Sequence, residues 1–186
     1  KIGLKSKIVI ATSSKKNDQK IVKFCKEKKI RYFIGNNENV FHRTTECIKK
    51  YKFKYFVRIC ADRPLFDTDI MIKMIKLIIN KDYDIITNVY PRTFPKGLTC
   101  EVAKTNIFKN INQKYLLKKD KEHIFGYFYR NKTYKIHNIK SKFNRSFINK
   151  NFCIDTQKDL KKIKNIFFKL EKLKKKINTT NIYKFI

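Results

Sequence analysis

Tyr55-Phe56-Val57-Arg58-Ile59-Cys60-Ala61-Asp62-Arg63-Pro64-Leu65-Phe66-Asp67 is the stretch whose reading decides the fold. It opens as a near-continuous run of aromatic and β-branched residues, the pattern of a strand buried on both faces. Within two residues it changes to an acid, a base and a proline. Proline cannot continue a central strand, so the sheet is expected to stop at Asp62. In an open α/β sheet, ligands bind in the crevice beyond the carboxyl ends of the strands. A lone carboxylate at such an end is placed to hold a cation beside a bound phosphate. It is equally placed to cap the turn before the next helix, and the stretch alone leaves both roles open.

Working outward, Lys7-Ile8-Val9-Ile10-Ala11-Thr12 reads as a short buried strand that opens into Ser13-Ser14. Asp18 to Lys29 carries Ile21, Val22, Phe24 and Cys25 as a helical stripe. Tyr32-Phe33-Ile34 is a second strand ended by Gly35-Asn36-Asn37, and a helix is expected from Val40 to Tyr51, just before the central strand. After it, Asp67 or Thr68 caps a helix with Ile70, Met71, Met74, Ile75 and Ile78 at helical spacing. Asp84 to Asn88 is another buried strand, and Tyr90 to Gly97 is a loop. Glu101-Val102 and Lys135 to Ile139 add further strands. The last helix begins after Thr156, where Thr156-Gln157-Lys158-Asp159 reads as a capping box before Leu160, Ile163, Phe167, Leu170 and Leu173. Strands alternating with helices over short connections argue an α/β fold with a parallel sheet covered on both faces.

At 186 residues and 42% hydrophobic, the chain can bury a core and is expected to form one domain over 1–186. The net charge of +31 invites a nucleic-acid reading. Of the 46 basic residues, however, arginine occurs only at 31, 43, 58, 63, 92, 130 and 145, and lysine is spread along the whole chain. A phosphate-binding surface favours clustered arginine forks. Lys, Asn, Ile, Phe and Tyr share AT-rich codons, so composition drift explains the profile, and no specific nucleic-acid partner is expected. Cysteines at 25, 47, 60, 100 and 153 have no metal spacing, which points to a reduced, cytoplasmic chain. No apolar run approaches the ~20 residues of a membrane span.

Lys7 to Ser13, Val40-Phe41-His42-Arg43, Val57 to Pro64, Arg92-Thr93-Phe94-Pro95-Lys96-Gly97, Glu122-His123 and Ile154-Asp155-Thr156 follow one another in an order that resembles the sugar-acid cytidylyltransferases. The nearest branch is the spore coat polysaccharide biosynthesis protein F group, relatives of CMP-ketodeoxyoctonate and CMP-sialate synthetases. The resemblance covers Lys7 to about Leu170. It implies a Rossmann-like nucleotidyltransferase fold, GT-A-like, with a mostly parallel central sheet flanked by helices on both faces. It implies a reaction in which CTP and a sugar acid of the ketodeoxyoctonate, sialate or pseudaminate kind give a CMP-sugar and pyrophosphate. It also implies Mg2+ held by Asp62 and Asp155 as the catalytic acids. Thr12, Ser13, Arg43 and Arg58 carry over to the nucleotide, and Asn88, Arg92, Glu101, Glu122 and His123 to the sugar. A homodimer is left open.

Two departures accompany the resemblance. Where the family commonly has G-L-D-V-E-V, this chain reads Gly97-Leu98-Thr99-Cys100-Glu101-Val102. The family's nucleotide loop, A-R-x-G-S-x-R-x-P-x-K, belongs ahead of Lys7, and the glycines at 3, 35, 97 and 126 are isolated. The chain is therefore expected to be an N-terminally truncated, inactive enzyme. The rival readings are a sugar-nucleotide glycosyltransferase of similar fold and a basic module for nucleic acid or membrane.

Overall fold

The computed structural model describes residues 8–185. Lys7, the expected start of the first strand, lies outside the described residues. The elements are β1 (Val9–Ser13), α1 (Gln19–Glu27), β2 (Arg31–Gly35), α2 (Val40–Tyr51), β3 (Tyr55–Arg58), α3 (Thr68–Asn80), β4 (Ile85–Thr87) and β5 (Glu101–Lys104). After them come α4 (Thr105–Lys109), α5 (Lys118–Glu122), α6 (Gly126–Arg130), β6 (Ile136–Asn138), α7 (Arg145–Ile148), α8 (Gln157–Lys172) and α9 (Thr179–Lys184). They fall into two units, each with its own sheet.

The first unit comprises residues 8–54 and Thr105–Lys132. β1 and β2 pair in parallel, with Ser13 opposite Gly35 at their carboxyl ends. Asn39 caps α2 by accepting from the His42 amide, and Lys52 ends the helix in the left-handed conformation. The core is aromatic: the Phe108 ring lies 5.2 Å from Phe41 and 4.5 Å from Phe128. Such pairs add to the stabilisation from burial alone. The short helices α4, α5 and α6, to which no helical stripe points, are ordered by this cluster and by Asp120. That carboxylate is buried, accepts from the Leu117 amide at 2.8 Å and pairs with Arg130. A buried carboxylate of this kind is tolerated because a cation and a backbone donor meet it.

The second unit comprises Tyr55–Lys104 and residues 133–185. Its sheet has the order β3-β5-β4-β6, with β5 antiparallel to both β3 and β4, and β4 parallel to β6. Arg58 and Thr87 both stand opposite Glu101, so the carboxyl ends of β3 and β4 meet the start of β5. β3 stops at Arg58 rather than running on to Asp62, and its residues are half-buried rather than covered on both faces. Its partner β5 begins at Glu101, opposite Arg58, and the Thr99 carbonyl two residues earlier is taken by the Arg63 guanidinium at 3.1 Å. Residues Cys60 to Arg63 then close a turn, the Arg63 amide donating to the Cys60 carbonyl.

Asp67 supplies the expected cap of α3, accepting from the amides of Asp69 and Ile70. Its other oxygen accepts from the Thr179 amide at 2.7 Å, so one buried carboxylate starts both α3 and α9. The capping box at Thr156 and Asp159 forms as expected. α8 buries Ile163, Ile166 and Leu170 against Leu65, Leu98, Phe147 and Phe152, while Leu173 stays exposed. Asp82, with Lys104 and Lys135, ties the margins of β5 and β6 together. Among the described residues no helix is long and apolar enough to cross a membrane. The five cysteines are unpaired.

Candidate functional site

The turn after β3 and the segment before α8 are fastened to each other. The Ile154 amide donates to the Asp62 carbonyl at 2.9 Å, which sets Asp155 one residue from the backbone of Asp62. The approach depends on Gly97. This residue has φ +91, and a Cβ on it would lie 2.4 Å from the Phe152 carbonyl carbon. The Phe152 amide donates to the Lys96 carbonyl at 2.8 Å, so the chain from 152 to 154 lies along the loop that precedes β5. Gly97 follows Lys96 in a turn closed by the Leu98 amide on the Pro95 carbonyl. Glycine is the residue for that turn position because only it takes positive φ without strain.

Asp62 and Asp155 differ in setting. Asp155 is exposed, and its amide donates to the Asp159 carboxylate at the start of α8. Asp62 is half-buried, and its Oδ1 is shielded from water with no hydrogen-bond partner among the described residues. Its neighbours are Arg63, whose Nε lies 3.9 Å from Oδ1, and the Cys153 thiol. Burial, then the charge of Asp62, pushes that thiol up to about 11, so it stays protonated and donates to the carboxylate. A buried carboxylate oxygen without a donor is costly unless a cation or ligand meets it. A hard divalent ion takes such oxygens and completes its shell with water and phosphate oxygens. Among the described residues no group of three or more His, Cys, Asp or Glu side chains is arranged for a metal. Two carboxylates and a phosphate-bearing ligand are nevertheless a chemically adequate donor set for magnesium.

Around this pair the second unit gathers other expected residues. Arg58 faces Glu101 at 4.0 Å, with Glu101 almost wholly buried. Asn88 is fully buried; its Oδ1 holds the Cys100 amide, and its Nδ2 has no partner among the described residues. Arg92 is exposed on the loop between β4 and β5, which the Thr93 hydroxyl fastens to the Ile139 carbonyl at 2.6 Å.

In the first unit, Thr12 and Ser13 are buried at the carboxyl end of β1. Ser13 bonds to Asp18, and Ser14 donates through its amide and hydroxyl to Asn37. The Arg43 side chain lies over Gly35, opposite Ser13, and its guanidinium donates to the Asn36 carbonyl. Thr12, Ser13 and Arg43 are thus gathered at one strand end, while Glu122 and His123 are exposed at the end of α5.

Arg63 and Cys153 were not singled out as site residues by sequence reasoning, although both touch the Asp62 carboxylate. The one signal for Arg63 was its place directly after Asp62, in the same turn.

A family model described as Cytidylyltransferase matches residues 1–183. Among curated proteins, the chain is 29% identical to the uncharacterized protein MJ1063 of Methanocaldococcus jannaschii, over 67% of this chain and 50% of that protein. It is 26% identical to the spore coat polysaccharide biosynthesis protein SpsF of Bacillus subtilis, over 87% of this chain and 67% of that protein. The chain thus spans half to two thirds of the length of these relatives. Among solved structures, a cytidylyltransferase from Leptospira borgpetersenii superposes with a TM-score of 0.79 at 23% identity, over 87% of this chain and 68% of that one. This likeness establishes the α/β nucleotidyltransferase fold.

Proposed function

Because this chain belongs to the cytidylyltransferase family, we propose that it transfers CMP from CTP to a sugar acid, with release of pyrophosphate, for a surface polysaccharide. The observation that carries the reading is the Ile154–Asp62 hydrogen bond, which puts the two acids of the motif order at one end of a sheet. The polysaccharide role is supported by the name of the SpsF relative. The kind of sugar acid, whether of the ketodeoxyoctonate, sialate or pseudaminate type, rests on the order of motifs alone.

In this reading Asp62 and Asp155 hold Mg2+. The ion, when bound, neutralises phosphate charge and lowers the pKa of the attacking sugar hydroxyl. Asp62 is suited to the role because one of its oxygens is buried and unpartnered, so a cation replaces a deficit instead of breaking a bond. Arg58, held against Glu101, offers a fixed guanidinium for phosphate oxygens. Asn88 presents a buried, unpartnered amide donor beside β5, the kind of group that selects a substrate oxygen. Arg92 supplies an exposed charge for a sugar carboxylate. We assign Thr12, Ser13 and Arg43 to nucleotide binding because they gather at the carboxyl ends of two parallel strands. Glu122 and His123 are assigned to sugar hydroxyls on the family resemblance.

The test is release of pyrophosphate from CTP with a panel of sugar acids, with and without Mg2+. Turnover is expected only with the metal, and Asp62→Asn is expected to lower it by at least about 100-fold. The variant should melt close to the wild-type temperature, since it replaces charge and not volume. Near-normal turnover of Asp62→Asn, or equal turnover without metal, refutes the reading.

A further inference from the structure

We propose that Arg63 is a positioning residue that serves as the resident counter-cation of Asp62 and sets how tightly that carboxylate takes a divalent ion. The inference rests on the reading of Asp62 as a cation ligand. Neighbouring residues of opposite charge on a surface rarely matter, because both side chains are mobile and solvated. Arg63 is neither. Its side chain is only 15% exposed. Its Nη1 donates to both the carbonyl and the hydroxyl of Thr99, each at 3.1 Å, and Thr99 is itself buried.

The fork is therefore anchored two residues before β5, with its free edge toward Asp62. Arg63 Nε and Asp62 Oδ1 face each other at 3.9 Å, both shielded from water and both without a hydrogen-bond partner among the described residues. Two unsatisfied groups of opposite charge, held just beyond bonding distance by other contacts, form a site that is not closed. Asp62 keeps an oxygen available, and Arg63 keeps that oxygen compensated while no metal is there. Cys153, on the same carboxylate, has a thiol side chain, which carries no positive charge in any protonation state and cannot supply that charge.

A metal at Asp62 meets the fixed guanidinium as a like charge. Asp62, Asp155 and Arg63 together carry a single net negative charge, which is little for a divalent ion. Phosphate oxygens make up the difference, so ion and nucleotide load together. The nearby Thr99 is what allows this: an acid there would pair with Arg63 and draw its charge from Asp62.

The test is titration of the purified chain with Mn2+, followed by the loss of the free-ion signal in electron paramagnetic resonance, with thermal melting of every variant. Removing one fixed charge beside a divalent-ion site, screened by solvent, should tighten binding about five- to tenfold. Arg63→Gln keeps a donor for Thr99 and loses the charge, so it should show that gain. Arg63→Lys keeps the charge and should bind within about twofold of wild type, a rescue that a purely structural role of Arg63 would not give. Arg63→Met serves as a second neutral replacement if Arg63→Gln melts below the assay temperature. Neutral variants that bind Mn2+ no more tightly than wild type overturn the proposal. Asp62→Asn, run alongside, separates the two claims: if it binds Mn2+ as wild type does, it is the cation reading of Asp62 that fails.

Discussion

Gly97→Ala is the substitution that most directly tests how the carboxylate pair is built. The new Cβ would lie 2.4 Å from the Phe152 carbonyl carbon and 2.7 Å from both the Cys153 nitrogen and the Phe152 oxygen, all backbone atoms. Ordinary contact begins near 3.4 Å, so the 152–154 segment must retreat by about 1 Å. That retreat stretches two bonds now at 2.8 and 2.9 Å, Phe152 to Lys96 and Ile154 to Asp62. Holding alanine at φ +91 adds about 1–3 kcal/mol of backbone strain. Overpacking adds about 1–3 kcal/mol more. A loss of at least about 2 kcal/mol is expected from these two causes, read as a lower urea midpoint at unchanged slope. Mn2+ affinity should fall with it, because Asp155 moves away from Asp62. Gly35→Ala is the control: its added Cβ meets the flexible Arg43 side chain and the Phe33 ring rather than backbone. A Gly97→Ala chain that unfolds at the wild-type midpoint and binds Mn2+ normally would refute the reasoning.

Asp67→Ala should cost about 2–4 kcal/mol, from a lost cap on α3 and a buried Thr179 amide left without its acceptor; urea unfolding measures it, and a loss below about 1 kcal/mol would deny the double-cap role. Hydrogen bonds from Lys135, and then from Lys104, hold the Asp82 carboxyl down to about 2. A depressed folded pKa means that the contribution is present above the ordinary carboxylate value near 4 and is lost as pH falls through about 2. Carboxyl titration by NMR should show Lys135→Met moving Asp82 toward its ordinary value, and an unchanged midpoint would disprove the clamp.

The parts of the fold governed by neighbours in sequence were legible. Asp67 capping α3, the Thr156–Asp159 box and the inward residues Ile163 and Leu170 of α8 all follow from spacings of three or four residues. What was not legible depended on partners far along the chain. β3 ends at Arg58, opposite the first residue of β5, Glu101, a partner 43 residues along the chain. The helices between Thr105 and Arg130 are too short for a periodic stripe, and they are ordered by a phenylalanine cluster and one buried carboxylate. In the candidate site, the adjacency of Asp62 and Asp155 was expected from motif order, and a backbone hydrogen bond joins their neighbourhoods. The contact of Arg63 with Thr99 spans 36 residues and obeys no local pattern.

The position of β5 between β3 and β4 also bears on the order in which the chain can assemble as it leaves the ribosome. β3 and β4 share no pairing, and the strand that joins them is made after both. The first two strands must therefore wait, their edges open, until residue 104 has emerged, and closing loops of this length is what slows non-local sheets. α3, whose cap and stripe are local, can form during that interval and cover part of the waiting apolar surface. Asp155 is synthesised some fifty residues later still, so the carboxylate pair can be completed only after the strands of that sheet have been made.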